Sequence, residues 1–208
     1  MSFFVTGPTM IAAVSSLVLS ILAISLAAPT GHTSLSNAFD QSISLTKATL
    51  QNVHTFITNY KEVNIGSPSF EDYSLMMRSL PNCQMSYRQW LEMQDEERLQ
   101  QSWRDLQVFW IHVDMQRIHE IGQDEGSALA DAMEGISLDL RDLISQLNRE
   151  ISALNSTSPE PQDLTLPNNV LNPGHVWHSK LQGYIIFRDL ETYLNKVIRD
   201  FTLLKTKY

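Results

Sequence analysis

Apolar residues recur at alternating spacings of three and four along four stretches of the chain, the repeat that gathers side chains on one face of a 3.6-residue helix. The first stretch, about residues 34–60, carries Leu35, Phe39, Ile43, Thr46, Leu50, Val53, Ile57 and Tyr60, with Ser34 as N-cap and Gly66, Ser67 and Pro68 blocking continuation. The second starts near Gln94 or Asp95, where Asp95, Glu96 and Glu97 suit the positive end of a helix dipole. It continues through Leu99, Trp103, Leu106, Trp110, Val113, Ile118 and Ile121 and stops at Gly122. A few residues later the third presents Leu129, Met133, Ile136, Leu140, Leu143, Leu147, Ile151 and Leu154. The fourth, about residues 175–205, places Phe187, Leu190, Leu194, Val197, Phe201 and Leu204 on one face. Each is about 25 to 30 residues, near 40 Å at 1.5 Å per residue.

The connections between them are long, short and long. From the first helix to about Leu91 the chain has two prolines, Asn82 and scattered aromatics (Phe70, Tyr73, Tyr87, Trp90) without helical period. After Leu154, Pro159, Pro161 and Pro167 mark a second polar crossover to about Gly174. A short loop makes its two helices antiparallel, whereas a long one lets consecutive helices run parallel. The pattern therefore predicts an all-α, up-up-down-down four-helix bundle with two long crossover loops, the long-chain arrangement.

The first 39 residues hold no Asp, Glu, Lys or Arg, and from Met10 to Ala28 nearly every position is Ile, Leu, Val, Ala or Ser. Small residues at Ser25 and Ala27 ahead of Pro29 form an A-x-A-like cleavage site, so residues 1–27 are read as a secretory signal and residues 28–208 as one domain. The competing reading is a retained membrane anchor, since a spanning helix needs about 20 apolar residues. A net charge of −8 argues against a phosphate-binding surface, and so against nucleic acid as a partner. Cys83 is the single cysteine, which excludes an intrachain disulfide and leaves helix packing to supply stability. That thiol is either buried or a cross-link between two chains; a monomer is expected. The sequon Asn155-Ser156-Thr157 lies in the second crossover, where N-glycosylation of Asn155 is permitted.

The residues offer little chemistry. A di-iron bundle needs Glu-x-x-His on two helices, yet none of the six histidines has Glu three residues before it. His175-x-x-His178 is the nearest metal-like spacing, and two ligands without a third read better as solvated first-turn histidines. There is no G-x-S-x-G turn and no glycine-rich phosphate loop. The run from Asp95 to Arg98 reads as a solvated first turn. No catalytic site, cofactor or metal is expected, which leaves the polar faces of the first and third helices and the start of the fourth as the working surfaces.

There, at 100° per residue from Leu194, Lys180 falls roughly 40° and Trp177 roughly 100° from the stripe centre. Lys180 thus stands where an apolar residue belongs, beside Trp177 at i, i+3. Two readings remain open. Trp177 is a plug closing the bundle end while Lys180 snorkels to water, or the pair is an exposed contact, since Trp is enriched at binding hot spots.

These residues resemble the interleukin-6 type cytokines, within them the ciliary neurotrophic factor, cardiotrophin and leukaemia inhibitory factor group. The run Trp90-Leu91-Glu92-Met93, then Glu97-Arg98-Leu99-Gln100, looks like the start of the second helix in ciliary neurotrophic factor. Trp177-x-x-Lys180 looks like the Phe-x-x-Lys motif at the start of the fourth helix, with Trp in place of Phe. Unlike ciliary neurotrophic factor, the chain resembles leukaemia inhibitory factor in carrying a conventional leader, though the latter's disulfides are absent here.

The resemblance implies a secreted cytokine that assembles cell-surface receptors. Trp177 and Lys180 would recruit a leukaemia inhibitory factor receptor type chain, and the exposed faces of the first and third helices the shared signal-transducing glycoprotein, with JAK-STAT signalling following. It also implies a place for a non-signalling α-receptor at the end of the fourth helix near Arg199 and the first crossover. The alternative from another class is a secreted helical carrier of a lipid or small apolar ligand, with Trp, Tyr and Met lining a cavity.

Overall fold

A computed structural model describes residues 31–82, 85–154 and 164–208. The leader at 1–27, Cys83 and the Asn155 sequon lie outside the described residues. Four long helices carry the architecture: α1 (Gly31–Tyr60), α3 (Asp95–Gln123), α4 (Ala128–Ala153) and α6 (Val176–Lys207). Two short ones, α2 (Tyr87–Glu92) and α5 (Asn168–Leu171), sit in the crossovers.

Polar pairs between helices fix their directions. Asp40 meets Lys205 at 2.5 Å and the Tyr60 hydroxyl donates to the Lys180 carbonyl at 3.0 Å, so α1 and α6 run antiparallel. Ser42 with Glu150 and Asn52 with Asp139 make α1 antiparallel to α4. Arg117 with Glu134 and Glu120 with Ser127 do the same for α3 and α4, and Arg98 with Asp200 and Asp105 with Tyr193 for α3 and α6. Hence α1 and α3 point one way and α4 and α6 the other, the expected up-up-down-down order.

The α4 stripe from Leu129 to Ile151 and the α6 stripe from Phe187 to Leu204 are buried throughout. Aromatic rings from α1 and α6 interleave along the axis, with Phe56 4.3 Å from Phe187 and Phe39 6.2 Å from Phe201. Burial of such side chains, worth roughly 1.5–3 kcal/mol each, is the main stabilising term for a bundle without a disulfide.

Several boundaries and faces depart from the sequence reading. The α1 helix continues as a π-helical turn, Lys61–Ile65, which ends where Gly66 takes φ 84° and its N–H returns to the Lys61 carbonyl. The first crossover is not uniformly irregular: Ser86 and Gln89 form a reciprocal capping box that starts α2. The α3 helix passes through Gly122 to Gln123, and Ile118 and Ile121 are exposed. Ile118 lies roughly 200° around the helix from Gln116. Gln116 and Glu120 continue the buried face instead, because the neighbours at that end are polar: Tyr60, Asn64 and Ser127.

A buried carboxyl on α4 gives the fold a pH dependence. Glu150 of α4 is buried beside α1 and accepts the Ser42 hydroxyl at 2.5 Å. Burial pushes it up to about 7, against the opposing pull of that hydrogen bond. Because the folded carboxyl holds its proton more tightly than the unfolded one, its contribution to stability is complete below about pH 4.5 and is lost as pH rises through about 7. Glu150→Gln is therefore expected to stabilise the fold by about 1–2 kcal/mol at pH 8, after allowance for the carboxamide's own need of a partner. Denaturant melts of both proteins at pH 5 and pH 8 check this. An equal pH slope in the two would count against it.

Candidate receptor-binding site

At one tip of the bundle, Gly174 at φ 73° turns the chain out of the second crossover and into α6. His175 is the N-cap, extended at φ −145° and ψ 140°, and its Nδ1 accepts the N–H of Trp177 at 3.1 Å. His175 thus stands outside the helix as its cap, not within a shared first turn with His178. The α5 helix is tied alongside: Gln182 donates to the Asn169 carbonyl at 2.8 Å, and His119 of α3 donates to the Leu171 carbonyl at 3.1 Å.

Trp177 is 44% exposed, with Val176 and Leu171 exposed near it. It is not the plug. Tyr60 closes the bundle there, fully buried, its hydroxyl on the Lys180 carbonyl and Gln116 Nε2 donating to the hydroxyl at 3.3 Å. Burial, followed by the Glu120 charge, pushes the Tyr60 phenol far up, so it stays a protonated donor. Lys180 is half-buried, one turn from Trp177, and among the described residues its ammonium is in no ion pair. An exposed indole and an unpaired cation therefore share one turn at an otherwise sealed end.

The opposite end of α6 carries a second concave surface. A cleft of about 600 Å³ is lined by Met85, Tyr87, Trp90, Lys196, Arg199 and Leu203. Its wall rests on a buried charge cluster that the sequence reading missed. Arg98, taken there for a solvated first-turn residue, is fully buried and donates to Asp200 at 2.7 Å and to the Trp90 carbonyl at 2.5 Å. Trp90 Nε1 and Lys196 Nζ also donate to Asp200, at 2.6 and 2.9 Å. The Arg98 guanidinium lies 4.9 Å from the Trp90 ring centre. The apolar stripes carry no sign of it, since Asp200 lies about 100° around the helix from Phe201 and Arg98 precedes Leu99, the first residue of its stripe.

The exposed faces of α1 and α4 form a third surface, largely polar, on which Leu138 is a large apolar side chain 43% exposed. Among the described residues, no group of three or more His, Cys, Asp or Glu could hold a metal, and no helix is long and apolar enough to cross a membrane.

The family described as Interleukin 11 matches residues 29–208. The chain belongs to the interleukin 11 family. It is also similar to cardiotrophin-2 of Mus musculus, 25% identical over 184 residues covering 86% of this chain and 89% of the relative. To cardiotrophin-2 of Pan troglodytes it is 24% identical over 175 residues, covering 84% and 85%. The chain is thus an interleukin-6 type cytokine, with the long-chain bundle of that group, from a secreted, non-enzymatic family whose partners are cell-surface cytokine receptors.

Proposed function

We propose that this interleukin 11 family member signals by bringing together two receptor chains, one of them of the leukaemia inhibitory factor receptor type captured by Trp177 and Lys180. The observation that carries the reading is Trp177 itself, a 44%-exposed indole on a rigid helix tip. The indole would enter an apolar receptor pocket and the Lys180 ammonium an acidic or carbonyl acceptor at its edge. The faces of α1 and α4 would engage the shared signal-transducing glycoprotein, and the JAK-STAT pathway would follow. The cleft beside Arg199 is the place for an α-receptor. Cleavage after residue 27 and a glycan on Asn155 belong to the same reading.

The carrier alternative, with Trp, Tyr and Met lining a cavity, has one place to stand, the surface cleft lined by Met85, Tyr87 and Trp90, whereas Phe39, Phe56, Phe109, Phe187 and Phe201 are buried within one continuous core.

Trp177→Ala combined with Lys180→Ala is expected to leave circular dichroism near normal while raising the concentration for half-maximal STAT phosphorylation about 100-fold, the size of a hot-spot loss. Receptor-bearing cells supply the readout. Undiminished signalling would remove the contact, and a collapse of helicity would make the pair structural.

A further inference from the structure

Capping of α6 by an imidazole is unusual, since Asn, Asp and Ser are the side chains best suited to accept the free N–H groups of a first turn. His175 can do so only through an unprotonated Nδ1, and the N–H it holds is that of Trp177. We propose that His175 is the positioning residue for Trp177 and works only as the neutral imidazole, so that acidification loosens the receptor contact. This rests on the reading of Trp177 as a receptor contact.

The surroundings favour that behaviour. His178, on the same helix, stands edge-on with its ring centre 5.9 Å from that of His175. From α3, His119 donates through Nε2 to Leu171, which leaves its Nδ1 to accept the Ser179 hydroxyl at 3.5 Å. Two imidazoles on two elements therefore meet the start of α6 as acceptors. Lys180 adds a fixed positive charge, and the sequence from Asn168 to Gln182 contains no Asp or Glu.

Other charges lie on the elements packed there, with Asp124 and Glu125 exposed just beyond α3. Lys61 of the π-helical turn pairs with Glu71, and Glu62 is exposed. On α3, Arg117 pairs with Glu134, and Glu120 accepts from Asn64 and Ser127. A proton on His175 removes the acceptor and places a cation at the positive end of the helix dipole.

The test uses the full secreted chain and its Asn and Ala variants at residue 175, titrated against immobilised leukaemia inhibitory factor receptor ectodomain at pH 7.4 and pH 5.5. The Trp177 amide resonance of the free protein is followed over the same range. For wild type, affinity should fall about tenfold on acidification, and the amide should shift as the cap is lost. His175→Asn, a cap that does not titrate, should reduce that ratio to about twofold and hold the amide still. His175→Ala should bind at pH 7.4 about as weakly as wild type does at pH 5.5. An acid-insensitive wild type, or a His175→Asn variant as acid-labile as wild type, overturns the proposal. Trp177→Ala binding as tightly as wild type would overturn the receptor reading itself. The amide shift, which needs no receptor, tells the two failures apart.

Discussion

Asp200→Ala is expected to destabilise the bundle by about 3–5 kcal/mol, because it leaves two buried cations without their shared carboxylate. Arg98 is fully buried and Lys196 is 4% exposed; both donate to Asp200, one to each oxygen. Neither side chain can swing to water without dismantling its surroundings, and Trp90 Nε1 loses its acceptor at the same time. The cost comes from stranding charge, not from the worth of the pair. Replacing Arg98, Lys196 and Asp200 together by Met, Met and Leu should therefore recover most of the loss. Urea denaturation at pH 7 measures both. A loss below about 1 kcal/mol for Asp200→Ala would mean that the cluster behaves as a surface ion pair. Salt supplies a second check, since a buried pair is screened far less than an exposed one.

The same cluster shapes the cleft at the far end of α6. Arg98 clasps the Trp90 and Met93 carbonyls as well as Asp200, so α2 is held against α6 by one guanidinium from the first turn of α3. Tyr87 and Trp90, 5.8 Å apart, thereby stand as a fixed wall of the cleft opposite Arg199 and Leu203. The crossover has the length to reverse the chain, and this anchor gives it a defined shape.

The helices were legible in the sequence because periodicity reports burial directly: α6 obeys it at every stripe position, and α4 from Leu129 to Ile151, with Leu154 half-buried as its C-cap. The connectivity was legible because loop length restricts helix direction. Reading failed where a polar residue occupied a buried position, since its partner lies far along the chain. Arg98 looks solvated until Asp200 is known to face it, and Gln116 and Glu120 look like surface residues until Tyr60, Asn64 and Ser127 surround them. Ile118 and Ile121 misled for the converse reason: apolar type was taken for burial, although single exposed aliphatics are ordinary on a folded surface. At the tip, sequence placed Trp177 and Lys180 on one turn but left plug and contact open. The structure exposes Trp177 and fills the bundle end with Tyr60, an occupant that could have been suspected from Gly183, a helix-disfavoured residue inside a strongly periodic helix.

Gly183→Ala should reverse the usual preference of helices for alanine. In an open helix interior the change gains about 1 kcal/mol. Here a Cβ at residue 183 would stand 2.6 Å from Tyr60 Cζ, nearer still to its hydroxyl, and 3.0 Å from Gln116 Cδ. The Tyr60 ring has little room to retreat, with Phe56 and Phe187 at 5.6 and 6.0 Å and its hydroxyl engaged by both Lys180 and Gln116. Either the tyrosine leaves the bundle end or α6 shifts outward, and the expected loss is about 2–3 kcal/mol. Tyr60→Leu removes the obstructing atoms, so the double variant should lose less than the two single losses combined, with a coupling of at least about 1 kcal/mol. Signalling should respond as well, because the Lys180 carbonyl that receives the Tyr60 hydroxyl belongs to the turn that displays Trp177. A Gly183→Ala protein that gains stability would show that Tyr60 has freedom to move, and the rigid seat assigned to the Trp177 tip would be lost with it.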